Sequence, residues 1–316
     1  MLKTLANLKV IFLGTSSAIP TSERGLSSIA LVREGEILLF DAGEGTQRSF
    51  FKANLGFNKK MKIFISHLHG DHCVGLLGLL QTMSMLERTL PLSVYGPRGL
   101  LGFVKNNMKS LKCELSFPLN IKIVTEGTFL EEKEYVVRAC KGKHFITNYA
   151  YALEEKDRPG VFEPNNAIRL GIPKIKWSNL QKDETVTMKG KKIKPEQVIG
   201  PKRRGRKIVI SGDTRPTLKL KHFLEGSDVA ILDSTYFDEH KEKAKEHMHM
   251  TASEAMELSS KSGVKKVVLT HFSSRYRDVA TILASISKKH INTIEATDFM
   301  EINIPYPDEL TEKKKE

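Results

Sequence analysis

The run Ile65-Ser66-His67-Leu68-His69-Gly70-Asp71-His72-Cys73-Val74-Gly75 sets four metal-ligating side chains, His67, His69, Asp71 and His72, within six residues, directly behind the apolar segment 61–65. A β-strand ending at Ser66 would release them into a loop and a first helical turn. There they need not alternate between faces as they would inside the strand. Imidazole and carboxylate donors at this density suit zinc, whereas a structural site would more often supply cysteines in Cys-x-x-Cys pairs. Cys73 adjoins the cluster and reads as a neighbouring thiol rather than a ligand.

Elsewhere the chain repeats one device, a strand whose C-terminal end carries a ligand-type residue. Residues 207–210 run into Ser211-Gly212-Asp213, 229–232 into Asp233-Ser234-Thr235, and 265–270 into His271. Residues so placed can converge on one edge of a sheet. Further strands are expected at 9–14, at 28–32 and 36–40 as a hairpin about Glu34-Gly35, and at 92–95, 119–124, 134–140 and 149–153. Helices are expected at 46–53, 74–88, 98–109, 239–247 and 252–261, the last capped by Thr251 with Glu254 three residues on. Strands and helices alternate only in part, so the expected fold is α/β, two sheets packed as a sandwich and covered by helices, rather than a doubly wound parallel sheet. Asp41, at a strand end before a helix, could be a ligand itself but reads rather as a cap or an anchor for one.

One zinc takes about four ligands, and a catalytic one keeps a position for water. His67, His69, Asp71, His72, His144, Asp213 and His271 are too many for one ion. Two ions bridged by Asp213 would use all seven, in an arrangement suited to phosphate ester hydrolysis. His222, His240, His247 and His290 lie among Lys and Glu and read as surface residues.

The chain has 316 residues, 40% of them hydrophobic, enough for a large core. Three scattered cysteines, Cys73, Cys113 and Cys140, argue for free thiols in a reducing compartment. Neither a secretory leader nor a run of ~20 apolar residues is apparent, so a cytoplasmic protein without membrane spans is expected. The formal charge of +13 suits a polyanionic partner. Nine basic residues fall between 189 and 207 (Lys189, Lys191, Lys192, Lys194, Lys202, Arg203, Arg204, Arg206, Lys207) against one acid, Glu196. They close a Pro-, Gly- and Lys-rich segment, 154–206, with too weak an apolar pattern for a compact core. Phe162, Ile172, Ile175, Trp177 and Val186 suffice for a small folded arm. The organisation read is therefore a catalytic domain of residues 1–153 and 207–306, an inserted basic arm at 154–206, and a charged tail at 307–316.

Taken together, Gly14-Thr-Ser-Ser-Ala-Ile-Pro20, Phe40-Asp-Ala-Gly-Glu-Gly-Thr-Gln47, the His cluster, Ser211-Gly-Asp-Thr-Arg-Pro216 and Leu269-Thr-His-Phe-Ser-Ser-Arg-Tyr276 resemble the short form of ribonuclease Z, within the metallo-β-lactamase superfamily. The resemblance implies an αββα sandwich and a cytoplasmic homodimer that removes the 3′ trailer of precursor tRNA, leaving a 3′-hydroxyl on the tRNA and a 5′-phosphate on the trailer. It implies two Zn2+ per subunit, with Mn2+ as a possible substitute. One ion would be held by His67, His69, His144 and Asp213, the other by Asp71, His72, Asp213 and His271. It further implies that the basic arm, through Gly171-Ile172-Pro173 and cations such as Lys202, Arg203, Arg204 and Arg206, clasps the tRNA. Asp71 would orient the attacking water and take its proton. His249, held by Asp233, would protonate the leaving oxygen, and Arg275 would contact a phosphate or form a structural ion pair. One departure is visible: where the family commonly has His-Glu-Ala-Thr, this chain has Leu232-Asp233-Ser234-Thr235, an acid one methylene shorter.

Three other readings compete. A thioester or lactam hydrolase would share the metal site but has no need of a basic arm. A small-molecule phosphodiesterase would share the chemistry. A non-catalytic RNA-binding module could dispense with a full ligand set, and here no ligand is missing.

Overall fold

The computed structural model describes residues 7–188, 190–286 and 292–308; Lys189, His290 and the tail from residue 309 lie outside it, as do residues 1–6. The chain divides into two compact units, one formed by the residues through Glu154 together with Lys207–Pro305, the other by Glu155–Arg206 together with the chain from Tyr306.

The larger unit holds two seven-stranded sheets. The first runs, in spatial order, Glu301–Asn303, Leu8–Gly14, Ser28–Arg33, Glu36–Phe40, Met61–Phe64, Leu92–Gly96 and Leu119–Ile123. The second runs Thr293–Glu295, Lys266–Thr270, Val229–Asp233, Lys207–Ile210, Tyr149–Glu155, Tyr135–Lys141 and Gly127–Glu131. Most of these strands are apolar on both faces, and the two-residue period sorts them. Leu8, Val10 and Phe12 enter the core between the sheets, while Ile11 and Leu13 point outward beneath helices. Leu38 and Phe40 alternate with Ile37 and Leu39 in the same way, and Phe64 with Met61 and Ile63. Each large side chain so buried stabilises the fold by about 1.5–3 kcal/mol.

Thr46–Lys52, Gly75–Met85 and Leu100–Ser110 cover the outer face of the first sheet. Leu218–Leu224, Ala252–Lys261 and Val279–Ile286 cover that of the second. The four layers are those expected. Several elements differ from the sequence reading: Thr293–Glu295, Glu301–Asn303 and Val279–Ile286 were not expected, and the helix expected at 239–247 is a tight turn Asp238–His240 followed by the short helix Lys241–Glu246. The helix expected at 74–88 is two pieces, a single turn Gly70–Cys73 and then Gly75–Met85. Gly127–Glu131 and Leu218–Leu224 were not anticipated, the strand because its residues are all partly exposed and the helix because lysines interrupt its short apolar pattern.

The parallel strand pairs aim their C-terminal ends the same way within each sheet. Glu36–Phe40 and Met61–Phe64 are parallel neighbours in one, and Lys207–Ile210, Val229–Asp233 and Lys266–Thr270 in the other. Gly43 and Gly75 allow the loops behind two of these ends to touch, since a methyl group on Gly75 would collide with the Gly43 carbonyl. The contact is closed by the Ala42 N–H donating to the His72 carbonyl at 2.8 Å.

The smaller unit has its own core of Ala167, Ile172, Leu180, Val186, Ile193 and Val198, against which Phe162 and Trp177 pack. Ile175, expected inside, is 84% exposed. Gly171, with φ +66°, ends a short helix, and the Trp177 Nε1–H donates to the Ile172 carbonyl at 2.9 Å. At its root the Tyr306 ring lies between two guanidinium groups, Arg158 at 3.3 Å and Arg206 at 3.8 Å from its centroid. Arg206 is buried and makes a bidentate pair with Glu155 at 2.7 and 2.8 Å. Asp308 accepts from Arg158 at 2.5 Å and Arg203 at 3.1 Å.

Candidate metal centre

Seven side chains from the loops behind the strand ends converge in the larger unit. His67, His69, His144 and Asp213 offer ligand atoms within 4.8 Å of one another, and so do Asp71, His72, Asp213 and His271. Asp213 belongs to both groups. Its Oδ2 lies 3.5 Å from His67 Nε2 and 3.3 Å from His72 Nε2, and its Oδ1 lies 3.4 Å from His271 Nε2. It can take this place because Gly212 adopts φ +57°, and any side chain there would press on Asn148 and Ser66.

Four of the five imidazoles have their outer nitrogen engaged. His72 Nδ1 donates to Asp41 at 2.7 Å, and His144 Nδ1 to the Met248 carbonyl at 3.2 Å. Ser66 Oγ donates to Asp41 at 2.8 Å, which leaves it to accept from His67 Nδ1 at 2.9 Å. Thr235 Oγ1 donates to Asp233 at 2.7 Å and accepts from His271 Nδ1 at 2.8 Å. The opposite nitrogens therefore face one another, together with Nδ1 of His69, and each can ligate once it is free of a proton. His67 Nε2 and His69 Nδ1 are 3.1 Å apart, His69 Nδ1 and His144 Nε2 3.2 Å, and His72 Nε2 and His271 Nε2 3.1 Å. The edges of a tetrahedron with metal–nitrogen bonds of ~2.0–2.1 Å are about 3.3 Å. Nitrogens converging at that separation beside the carboxylates of Asp71 and Asp213 suit cations, so the donor set fits metal ions. Engagement of the outer nitrogens is what holds ligating histidines in one tautomer and orientation.

The electrostatics agree. Burial, reinforced by the His72 charge, holds His67 well below the ordinary imidazole value, and burial also lowers His69 and His144, keeping all three neutral and able to ligate. Burial opposes ionisation of Asp213, but His271, His72 and His67 outweigh it and hold the carboxylate well below its usual range. Burial would likewise lower His271, yet Asp213, Asp233 and Asp71 push it up to about 10. The carboxylates demand positive charge at this spot.

Asp71, His249 and Asp233 are brought together with this centre. Asp71 Oδ2 accepts from the Ala18 N–H at 2.8 Å. His249 Nδ1 donates to Asp233 Oδ2 at 2.9 Å, and its ring centroid lies 5.2 Å from that of His144 and 5.4 Å from that of His271. The shorter acid therefore still reaches its histidine. Thr235 and Ala18 were missed as supports. Thr235 carried a signal, a hydroxyl two residues beyond a strand-end acid; a backbone amide carries none. Asp41 is an anchor, as expected. Arg275 is exposed, stacks over Tyr236 at 5.1 Å and donates to Ser273 Oγ at 2.9 Å. His222 and His247 are exposed, whereas His240 is half-buried, with Nδ1 2.8 Å from Tyr276 Oη.

In the smaller unit Gly171, Pro173, Lys202 and Arg204 are exposed. Arg206 is not available to a phosphate: it is 2% exposed, with its fork on Glu155 and its face on Tyr306. Arg203 is partly committed, to Asp308 and to the Pro159 carbonyl.

The profile of the beta-lactamase superfamily domain matches residues 161–272, and that of the anti-Pycsar protein Apyc1 matches residues 8–158. A ribonuclease Z of Nitrosopumilus maritimus is 49% identical over 94% of this chain and 100% of its own length. A ribonuclease Z of Methanosarcina mazei is 42% identical over 95% and 99%. The crystal structure of human tRNase Z, short form, matches with a TM-score of 0.70 and 30% identity, covering 94% of this chain and 99% of that one. The fold is the metallo-β-lactamase sandwich. The chain belongs to the ribonuclease Z family.

Proposed function

We propose that this protein is a metal-dependent endoribonuclease that removes the 3′ trailer of precursor tRNA, leaving a 3′-hydroxyl on the tRNA and a 5′-phosphate on the trailer. The observation that carries the reading is the convergence of ligand atoms about a shared Asp213, in a chain 49% identical to a ribonuclease Z over nearly its whole length. Two zinc ions are the proposed cofactors, with manganese as substitute, one on His67, His69, His144 and Asp213, the other on Asp71, His72, Asp213 and His271. When bound, such ions acidify water and neutralise charge on phosphoryl oxygens.

The chain's own groups do the rest. Asp71, steadied through Oδ2 by the Ala18 amide, orients the attacking water and accepts its proton. Attack at phosphorus breaks the bond to the tRNA 3′-oxygen, and that oxygen needs a proton. His249, anchored through Nδ1 by Asp233, supplies it from Nε2. Burial lowers the basicity of this imidazole, but the charge and hydrogen bond of Asp233 more than reverse that, so it is protonated more readily than a free histidine.

The unit Glu155–Arg206 with the chain from Tyr306 is proposed as the arm that holds the tRNA, through Lys191, Lys192, Lys194, Lys202 and Arg204, with Gly171 and Pro173 at its exposed turn. Arg275 is proposed to meet a phosphate near the cut. Cations of this kind displace counterions from RNA and give salt-dependent binding that is largely blind to sequence. A cytoplasmic homodimer completes the proposal. No helix among the described residues is long and apolar enough to cross a membrane. Incubation with precursor tRNA and zinc or manganese tests the proposal: the wild type should release the trailer and Asp71→Ala should not. A wild type that leaves the trailer intact with both metals refutes it.

A further inference from the structure

We propose that Phe145 is a stacking platform for the nucleobase that borders the scissile phosphate. This rests on the reading of the centre as one that cuts RNA, and adds to it a residue that grips the substrate at the cut.

Phe145 directly follows the ligand-type residue His144, the two ring centroids lying 5.9 Å apart, and its side chain is 63% exposed. Other exposed phenylalanines have local employment: Phe51 leans on Phe57 at 4.7 Å, and Phe299 carries the Lys52 ammonium at 5.2 Å. The ring neighbour of Phe145 is instead a member of the metal-binding cluster. Ile146 and Thr147 beside it are also exposed, so the loop presents a small face of its own.

That loop is held firmly. The Gly142 N–H donates to the Asn148 carbonyl at 2.9 Å, and the Lys143 N–H to Thr214 Oγ1 at 2.8 Å. Arg215 N–H donates to the Lys143 carbonyl at 3.0 Å. Asn148, wholly buried, donates from Nδ2 to the Asp213 carbonyl at 2.8 Å. Both ends of the loop are thus tied to the segment that carries the shared ligand, and Phe145 keeps a fixed place relative to the centre. Leaving a phenylalanine in water forgoes the stabilisation of burying it. An exposed ring on an anchored loop, one residue from a candidate ligand, is suited to a flat apolar partner that arrives with a phosphate. A nucleotide has that shape. Unpaired RNA ends are recognised by splaying bases onto aromatic side chains, tolerant of sequence because every base has a π-face.

The test uses the full chain with bound zinc and precursor tRNAs carrying an abasic nucleotide on either side of the cut. Phe145→Ala should lower kcat/KM on intact precursor about tenfold, within the range for loss of one base–aromatic stack. Phe145→Trp should restore it. Wild type should lose a similar factor on one of the two abasic RNAs, and on that RNA Phe145→Ala should lose nothing further. Turnover of methyl p-nitrophenyl phosphate, which carries no nucleobase, and zinc content should not change. Additive losses, equal loss on the small diester, or a change in oligomeric state caused by Phe145→Ala would overturn the assignment, the last by making the ring part of a contact between copies. A wild type that fails to cut precursor tRNA at all would instead overturn the proposed function, and this inference with it.

Discussion

In the proposed mechanism, replacing His249 by alanine separates protonation of the leaving group from every other task of the centre. The imidazole is anchored by Asp233 at 2.9 Å, its Nδ1 stands 4.0 Å from Asp213, and it belongs to neither of the two ligand groups proposed to hold the ions. A positioned general acid contributes about 10²–10⁴-fold, so His249→Ala should lower kcat on precursor tRNA by that factor. The same variant should turn over a p-nitrophenyl phosphodiester within a few-fold of wild type, because p-nitrophenolate departs without a proton. Zinc content should stay at the wild-type level. The pH dependence has a definite sign. An acid works while protonated, so kcat on RNA should fall as pH rises through the pKa of His249, which Asp233 has raised. Asp233→Asn removes that charge and should move the alkaline limb to lower pH. It also leaves donors from Thr214, Thr235 and His249 facing an amide with one acceptor, so some loss of stability is expected as well. Equal losses on RNA and on the activated diester would refute the reasoning, since His249 would then be serving the metals or the fold.

Asp41→Asn should weaken zinc binding by about 10–100-fold, as measured by competition with a chelator, because Asp41 orients His72 directly and His67 through Ser66. Burial, helped by the Asp41 charge, pushes the Cys73 thiol up to about 11, and burial raises Cys140; a maleimide at neutral pH should therefore label Cys113 first, with the other two reacting only on unfolding, as counted by mass spectrometry. Lys202→Ala with Arg204→Ala should raise KM for precursor tRNA and flatten its salt dependence by about two counterions, leaving the small diester unaffected. Arg206→Ala should instead lower thermal stability by about 3–5 kcal/mol, since it strands the buried Glu155 carboxylate.

The centre was legible to an unusual degree because its ligands are polar residues standing at the ends of apolar strands, where hydrophobic packing cannot account for them. His67, Asp213, Asp233 and His271 announce themselves in this way, whereas His249 does not: its pairing with Asp233 came from the family resemblance. The sandwich was legible because strands and helices alternate only in part along the chain. Contacts that depend on pairing were not. Arg206 stands in a basic run and looks like its neighbours, yet a single acid fifty-one positions earlier withdraws it from solvent. Ala18 acts through its backbone, which leaves no mark in the side-chain alphabet. The helix Leu218–Leu224 is too short for its period to rise above the lysines around it.

The ring of Tyr306 between Arg158 and Arg206 bears on how the protein is born. The two limbs that meet there leave the ribosome long before Tyr306 does, and the Asp308 contact closes a span of 150 residues to Arg158. A chain translated only as far as the strand Val229–Asp233 holds every candidate ligand of the centre except His271, and an arm whose root has nothing to stack upon. Completion of the arm is thereby tied to synthesis beyond residue 306, so a nascent chain would gain the proposed grip on RNA only after its candidate metal-binding loops have all been made.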